Sequence, residues 1–136
     1  MDIRIAENCG FCYGVKRAVN MANDTAEHTQ KSYTLGPIIH NPQVVESLEN
    51  NGVYAVNKLD DVPGGTVIIR SHGVGPAIYK EASERGLNVV DATCPHVKKA
   101  QQDAKSVIDA GKTLVILGEK KHPEVISINL WADNKV

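Results

Sequence analysis

The sequence predicts an α/β fold, a three-layer domain around a mostly parallel sheet. Three observations predict it. Short apolar runs alternate with helical patterns along the chain. Several of those patterns open on proline and close on glycine. The unit of strand, short loop and helix recurs about every 30 residues.

Taken in order, the run IRIA at 3–6 reads as a first strand and leads into ENCGFCYGVKRAV. Val15, Ala18, Val19, Ala22 and Ala26 then fall at i, i+3, i+4, i+7 and i+11, one face of a helix. YTLG at 33–36 is a second strand. NPQVVESLEN follows it, with Pro42 at the first helical position and Gly52 just past the end. VYAV at 53–56 and TVIIR at 66–70 are the third and fourth strands, separated by the turn DVPGG at 61–65. Pro76 and Gly86 bracket the next helix, and LNVVD at 87–91 is the fifth strand. Pro95 and Gly111 bracket a longer helix, and TLVIL at 113–117 is the sixth strand.

Composition excludes several classes of function. With 136 residues, 42% hydrophobic and 23% charged, the chain can bury a real core as one domain, or as one domain and part of a second. A net charge of −1 gives no basic footprint for nucleic acid. The longest apolar runs are too short to span a membrane. MDIRIAEN lacks the basic and apolar regions of a signal peptide. Three cysteines without such a signal point to a reducing compartment, the cytoplasm, where thiols serve metals or catalysis more often than disulfides.

In open α/β sheets, sites form where loops leave the carboxyl ends of the strands. The reactive side chains of this sequence stand in those loops. Cys9 and Cys12 follow the first strand, His40 the second, His72 the fourth, Cys94 the fifth, and His122 with Glu124 the sixth. On a parallel sheet all would project from one edge. A thiolate at a helix N-terminus is stabilised by the helix dipole, and such thiolates are normal ligands of iron–sulfur clusters. Imidazoles beside the glycine-containing loop SHGVGP suit an anion such as phosphate. A carboxylate in the same cavity can act as acid or base. Together these read as metal-assisted redox chemistry on a phosphorylated substrate.

Plainer readings stand beside this one. Cys94 taken alone reads as readily as a small core residue. Cys9 and Cys12 match the C-x-x-C of thioredoxin-like proteins. A structural zinc site is disfavoured, because no second pair of ligands has the spacing it needs. His28 and His96 fall within helical patterns as solvated residues, and Lys16, Arg17, Lys98 and Lys99 read as solvated helix faces.

GFCYGVKRAV, LGPIIHNPQVVESL, RSHGVGP, DATCPHVKKAQ and HPEV stand in the order and spacing of one known family. In these five motifs, spread over nearly the whole chain, the sequence resembles 4-hydroxy-3-methylbut-2-enyl diphosphate reductase. The resemblance implies a trefoil-like protein of three small α/β domains around a 4Fe–4S cluster. It implies reductive removal of an allylic hydroxyl, yielding isopentenyl and dimethylallyl diphosphate, with electrons from ferredoxin or flavodoxin. By motif, Cys12 and Cys94 resemble two of the three cluster ligands. His40, His72 and His122 resemble contacts to the diphosphate substrate, His122 near the hydroxyl end. Glu124 resembles the acid that relays a proton to the leaving hydroxyl. Cys9 has no counterpart in the family pattern and defaults to a turn residue.

Family members run roughly twice as long. The resemblance therefore implies residues 1–95 as a first domain and 96–136 as the start of a second, in a fragment inactive alone, with the third cluster cysteine beyond it. Two other classes remain: a thioredoxin-like dithiol oxidoreductase using Cys9 and Cys12, and a non-catalytic α/β module binding a phosphorylated ligand through His40 and His72.

Overall fold

Four of the six apolar runs pair into one sheet. A computed structural model of the chain describes residues 1–7 and 9–135. In chain order the elements are α1 (Tyr13–His28), β1 (Ser32–Leu35), α2 (Pro42–Asn50), β2 (Val53–Val56), a 3-10 turn (Leu59–Asp61), β3 (Thr66–Ile69), α3 (Pro76–Glu84), β4 (Asn88–Asp91), α4 (Pro95–Asp109) and α5 (Pro123–Trp131). The sheet order is β2-β1-β3-β4, and all three pairings are parallel. Ser32 stands opposite both Val53 and Thr66, and Thr66 opposite Asn88, so the strands start level and end level.

Residue period places the core on both faces. In β3, Ile68 points one way and joins Ala18, Ala22, Leu48 and Val53, a cluster roofed by α1 and α2. Val67 and Ile69 point the other way and join Leu59, Val62, Ala82 and Leu87 beneath α3. All of β3 is buried, which is why TVII reads as an unbroken apolar run rather than an alternation. The helices sit on opposite faces because β1–α2–β2 and β3–α3–β4 step outward in opposite directions, and parallel crossovers keep one hand. Three layers result, as the sequence predicts.

Two strand expectations fail. Residues 3–6 and 113–117 form no strand. Ile3 and Ile5 are 77% and 81% exposed, Val115 and Leu117 74% and 96%. Their short apolar runs are a strand pattern, but a strand is completed only by a hydrogen-bonded neighbour, and neither segment joins β2 or β4. Cys9 and Cys12 therefore follow an exposed segment outside the sheet rather than a strand, and His122 stands at the start of a helix.

Candidate active site at the carboxyl edge of the sheet

The chain leaves β1 toward β2 and leaves β3 toward β4, so the order reverses between β1 and β3. Ligands of open α/β sheets bind outside the carboxyl ends of the strands at such a switch point. The loops after β1 and β3 carry His40 and His72, whose ring centroids lie 4.5 Å apart.

Local sequence explains each placement. After β1, Gly36 takes φ +76 and lies against the Arg70 guanidinium, which a side chain would overlap. Ile38 and Ile39 turn into the core, leaving His40 exposed, and the Asn41 side chain caps α2 by accepting from the Val44 N–H at 3.0 Å. Ser71 ties three loops together. Its hydroxyl donates to the Ile38 carbonyl at 3.0 Å, and its own carbonyl accepts from the Cys94 N–H at 2.9 Å. His72 is next in the chain and is held by that knot.

His122 arrives by another route. It is the N-cap of α5, with Pro123 at the first helical position, and its Nδ1 accepts from the Glu124 N–H at 3.3 Å. That helix docks on the loop after β3. The Ser127 hydroxyl lies 2.9 Å from the carbonyls of both His72 and Glu124 and accepts from the Gln101 amide at 3.2 Å. Trp131 Nε1 donates to the Val74 carbonyl at 2.9 Å. The His122 ring then lies 6.0 Å from His40 and 5.7 Å from His72. One ligating atom from each of the three imidazoles falls within 4.8 Å of the others. Glu124 is half-buried in the first turn of α5, two residues beyond His122.

The cysteines mark the other part of the edge. Cys12 caps α1 and Cys94 caps α4, neither through a side-chain hydrogen bond. A Cβ built on Gly14, the second residue of α1, would overlap the Cys94 sulfur. The first turn after Cys12 is thus the wall against which Cys94 rests. Arg17 Nη1 reinforces the contact by donating to the Thr93 carbonyl at 3.2 Å. Cys9 and Cys12 are exposed, Cys94 is half-buried, and all three are free thiols.

Two basic residues expected on solvated faces have structural work. Arg17 bridges α1 to the Cys94 loop, and Lys98 pairs with Asp91 at 2.7 Å. Asp91 also accepts from the Thr93 N–H at 3.0 Å and from the Tyr79 hydroxyl at 3.0 Å. Burial works to raise the Asp91 carboxyl, but the hydrogen bonds from Lys98 and Thr93 hold it below the usual range. Tyr79 is pushed up to about 12, chiefly by burial, with the Asp91 charge adding. This cluster fixes the turn that presents Cys94. His28 and His96 are exposed, as read from the sequence.

Among these residues, electrostatics act clearly on His72. Burial first, then repulsion from His40, Arg70 and His122, lowers His72 to about 4. Its Nδ1 is buried without a protein partner, and so is the Nε of Arg70. Burial also lowers Arg70 from its ordinary value. A half-buried cation and a half-buried imidazole, each with a buried nitrogen left unpaired, favour an anion between the loops. Sequence reasoning missed Arg70, Gly14, Ser71 and Ser127. Arg70 had a signal, a charge ending a fully apolar run; the others act through tertiary contacts alone.

The fold and site define a parallel α/β domain of the open-sheet class, with three imidazoles converging at the switch point where such sheets bind ligands and two helix-capping thiols on the same edge. The chain belongs to the LytB protein family, whose model matches residues 3–136. It is 50% identical over its whole length to the 4-hydroxy-3-methylbut-2-enyl diphosphate reductase of Pelobacter propionicus, covering 49% of that protein. It is 51% identical to the reductase of the same name from Geobacter sulfurreducens, covering 48% of it. A solved structure of (E)-4-hydroxy-3-methyl-but-2-enyl diphosphate reductase, the terminal enzyme of the non-mevalonate pathway, superposes with TM-score 0.83 at 44% identity. That match covers 97% of this chain and 47% of the other. The E-1-hydroxy-2-methyl-but-2-enyl-4-diphosphate reductase from Plasmodium falciparum gives TM-score 0.91 at 31% identity, covering 95% and 41%. The chain spans about half the length of the curated relatives it matches.

Proposed function

We propose that the chain forms part of a 4-hydroxy-3-methylbut-2-enyl diphosphate reductase, which removes the allylic hydroxyl of its substrate to give isopentenyl and dimethylallyl diphosphate. The observation that carries this reading is the convergence of His40, His72 and His122 at the switch point, with the Cys94 N–H bonded to Ser71, the residue before His72, and Cys94 packed on the first turn after Cys12. Residues 1–95 are taken as a first domain and 96–136 as the start of a second, in a trefoil-like enzyme of three such domains that works in the cytoplasm. No helix among the described residues is long and apolar enough to cross a membrane.

The two thiols fit a 4Fe–4S cluster as part of its donor set. Each caps a helix with its sulfur uncommitted, and Gly14 leaves room for the Cys94 sulfur. Cys12 and Cys94 would be two ligands, with the third beyond this chain. When bound, the cluster supplies the electrons of the reduction, received from ferredoxin or flavodoxin.

The chain's own residues bind, orient and move a proton. Because His122 accepts at Nδ1, its neutral ring carries the proton on Nε2 and donates to an anion oxygen rather than offering a lone pair to a metal. His72 and His40 supply further donors, and Arg70 supplies buried positive charge behind them. Diphosphate held by this group fixes the carbon chain, which is catalysis by positioning. Glu124, two residues beyond the trio's third member in the first turn of α5, delivers a proton to the leaving hydroxyl so that water departs instead of hydroxide.

Anaerobic iron–sulfide reconstitution with iron and sulfide counts tests the cluster assignment. With an added small-molecule thiol standing in for the third ligand, the reduced chain is expected to bind both, with loss in Cys12→Ser and in Cys94→Ser. Iron uptake indifferent to both substitutions would overturn it. A second reading has one observation in its favour: the trio is complete within this chain. A phosphate-binding module without redox chemistry would bind pyrophosphate and take up no iron. A thioredoxin-like oxidoreductase gives the trio no task.

A further inference from the structure

Cys9 has no role in the site described above, yet it stands three residues from Cys12, exposed and free. We propose that Cys9 and Cys12 are a redox-active pair that closes to a reversible disulfide with a small-molecule disulfide such as oxidised glutathione, withdrawing Cys12 from cluster binding.

Four features of the chain support the pair. Both thiols are exposed, whereas Cys94 is half-buried with its sulfur against Gly14. Gly10 takes φ +114 between them, a conformation open to glycine that bends the chain at this point. Cys12 is the N-cap of α1 with φ −64 and ψ 166, and its side chain makes no capping bond that oxidation would have to break. The first turn of α1 carries no acidic residue and is followed by Lys16 and Arg17, so an anionic disulfide meets favourable charge. A loop this short closes at little entropic cost.

The exchange balances in two steps. The Cys12 thiolate attacks one sulfur of glutathione disulfide; that S–S bond breaks, a mixed disulfide forms, and one glutathione thiolate leaves. The Cys9 thiolate then attacks the Cys12 sulfur, forming the Cys9–Cys12 bond and expelling the second glutathione. The two cysteines lose two electrons and two protons, and one glutathione disulfide becomes two glutathiones.

The test equilibrates the 136-residue chain with graded mixtures of oxidised and reduced glutathione, alkylates the remaining thiols, and maps tryptic peptides by mass. Cys9 and Cys12 fall in peptide 5–16, and Cys94 falls in peptide 86–98. Two of the three thiols should disappear together, with peptide 5–16 two hydrogens lighter and peptide 86–98 fully alkylated. Cys9→Ser should yield only a glutathione adduct at Cys12, while keeping iron uptake under reducing conditions. The oxidised wild-type chain should take up no iron until it is reduced. Peptide 5–16 alkylated at both cysteines, or cross-linked to peptide 86–98, would overturn the proposal. Failure of the reduced chain to bind iron would count against the cluster assignment, and the peptide masses would still decide the disulfide.

Discussion

The burial that holds the His72 ring between the loops after β1 and β3 also penalises its charge, and its neighbours add repulsion, so it titrates at about 4 instead of 6.5. In the unfolded chain the same ring takes its proton near its ordinary value. Between those two values the unfolded state binds more protons, so this stability contribution is full above about pH 6.5 and is lost as pH falls toward 4. Melting temperatures of the wild type and His72→Gln measured from pH 7 to 4.5 should therefore diverge, with the wild type falling faster. Parallel curves would count against the buried imidazole as the cause. Gly14 gives a second test at this scale. Alanine normally stabilises a helix interior by about 0.5–1 kcal/mol over glycine, but here its methyl overlaps the Cys94 sulfur. Gly14→Ala is expected to lose about 1–3 kcal/mol in denaturant unfolding, typical of overpacking, and to bind less iron on reconstitution.

Helix α5 shows how an element can matter more than its sequence advertises. His122 and Pro123 are a readable start, but the apolar residues of PEVISINLW are spread around the helix rather than gathered in a stripe, and several are β-branched. The other four helices were legible from Pro42, Pro76 and Pro95 at their starts and from the spacing of Val15, Ala18 and Ala22. The run 113–117 failed for the opposite reason: its pattern is local, and the neighbour that would make it a strand is not. Docking of α5 rests on Ser127 and Trp131. Ser127→Ala leaves the buried Gln101 amide and the His72 carbonyl short of a partner, at a cost of about 1–3 kcal/mol. Since His122 rides on that helix, pyrophosphate affinity should fall several-fold with little change in the circular dichroism of the sheet domain. Unchanged affinity would mean that α5 does not position His122.

Across the whole molecule, the sheet order explains why residues far apart in sequence meet. His40 and His72 leave β1 and β3, the adjacent strands from which the chain turns outward in opposite directions, so their loops face each other across the crevice. That much was legible from strand-end histidines on a parallel sheet. The packing of Cys94 on α1 and the knot at Ser71 were not, because they depend on which loops become neighbours. Calorimetric titration of the chain with pyrophosphate at neutral pH tests the anion pocket most directly. Binding should weaken at least tenfold in His72→Ala and in His122→Ala, and survive Cys12→Ser combined with Cys94→Ser. Equal affinity in the wild type and both histidine variants would contradict the assignment of the three imidazoles to the diphosphate.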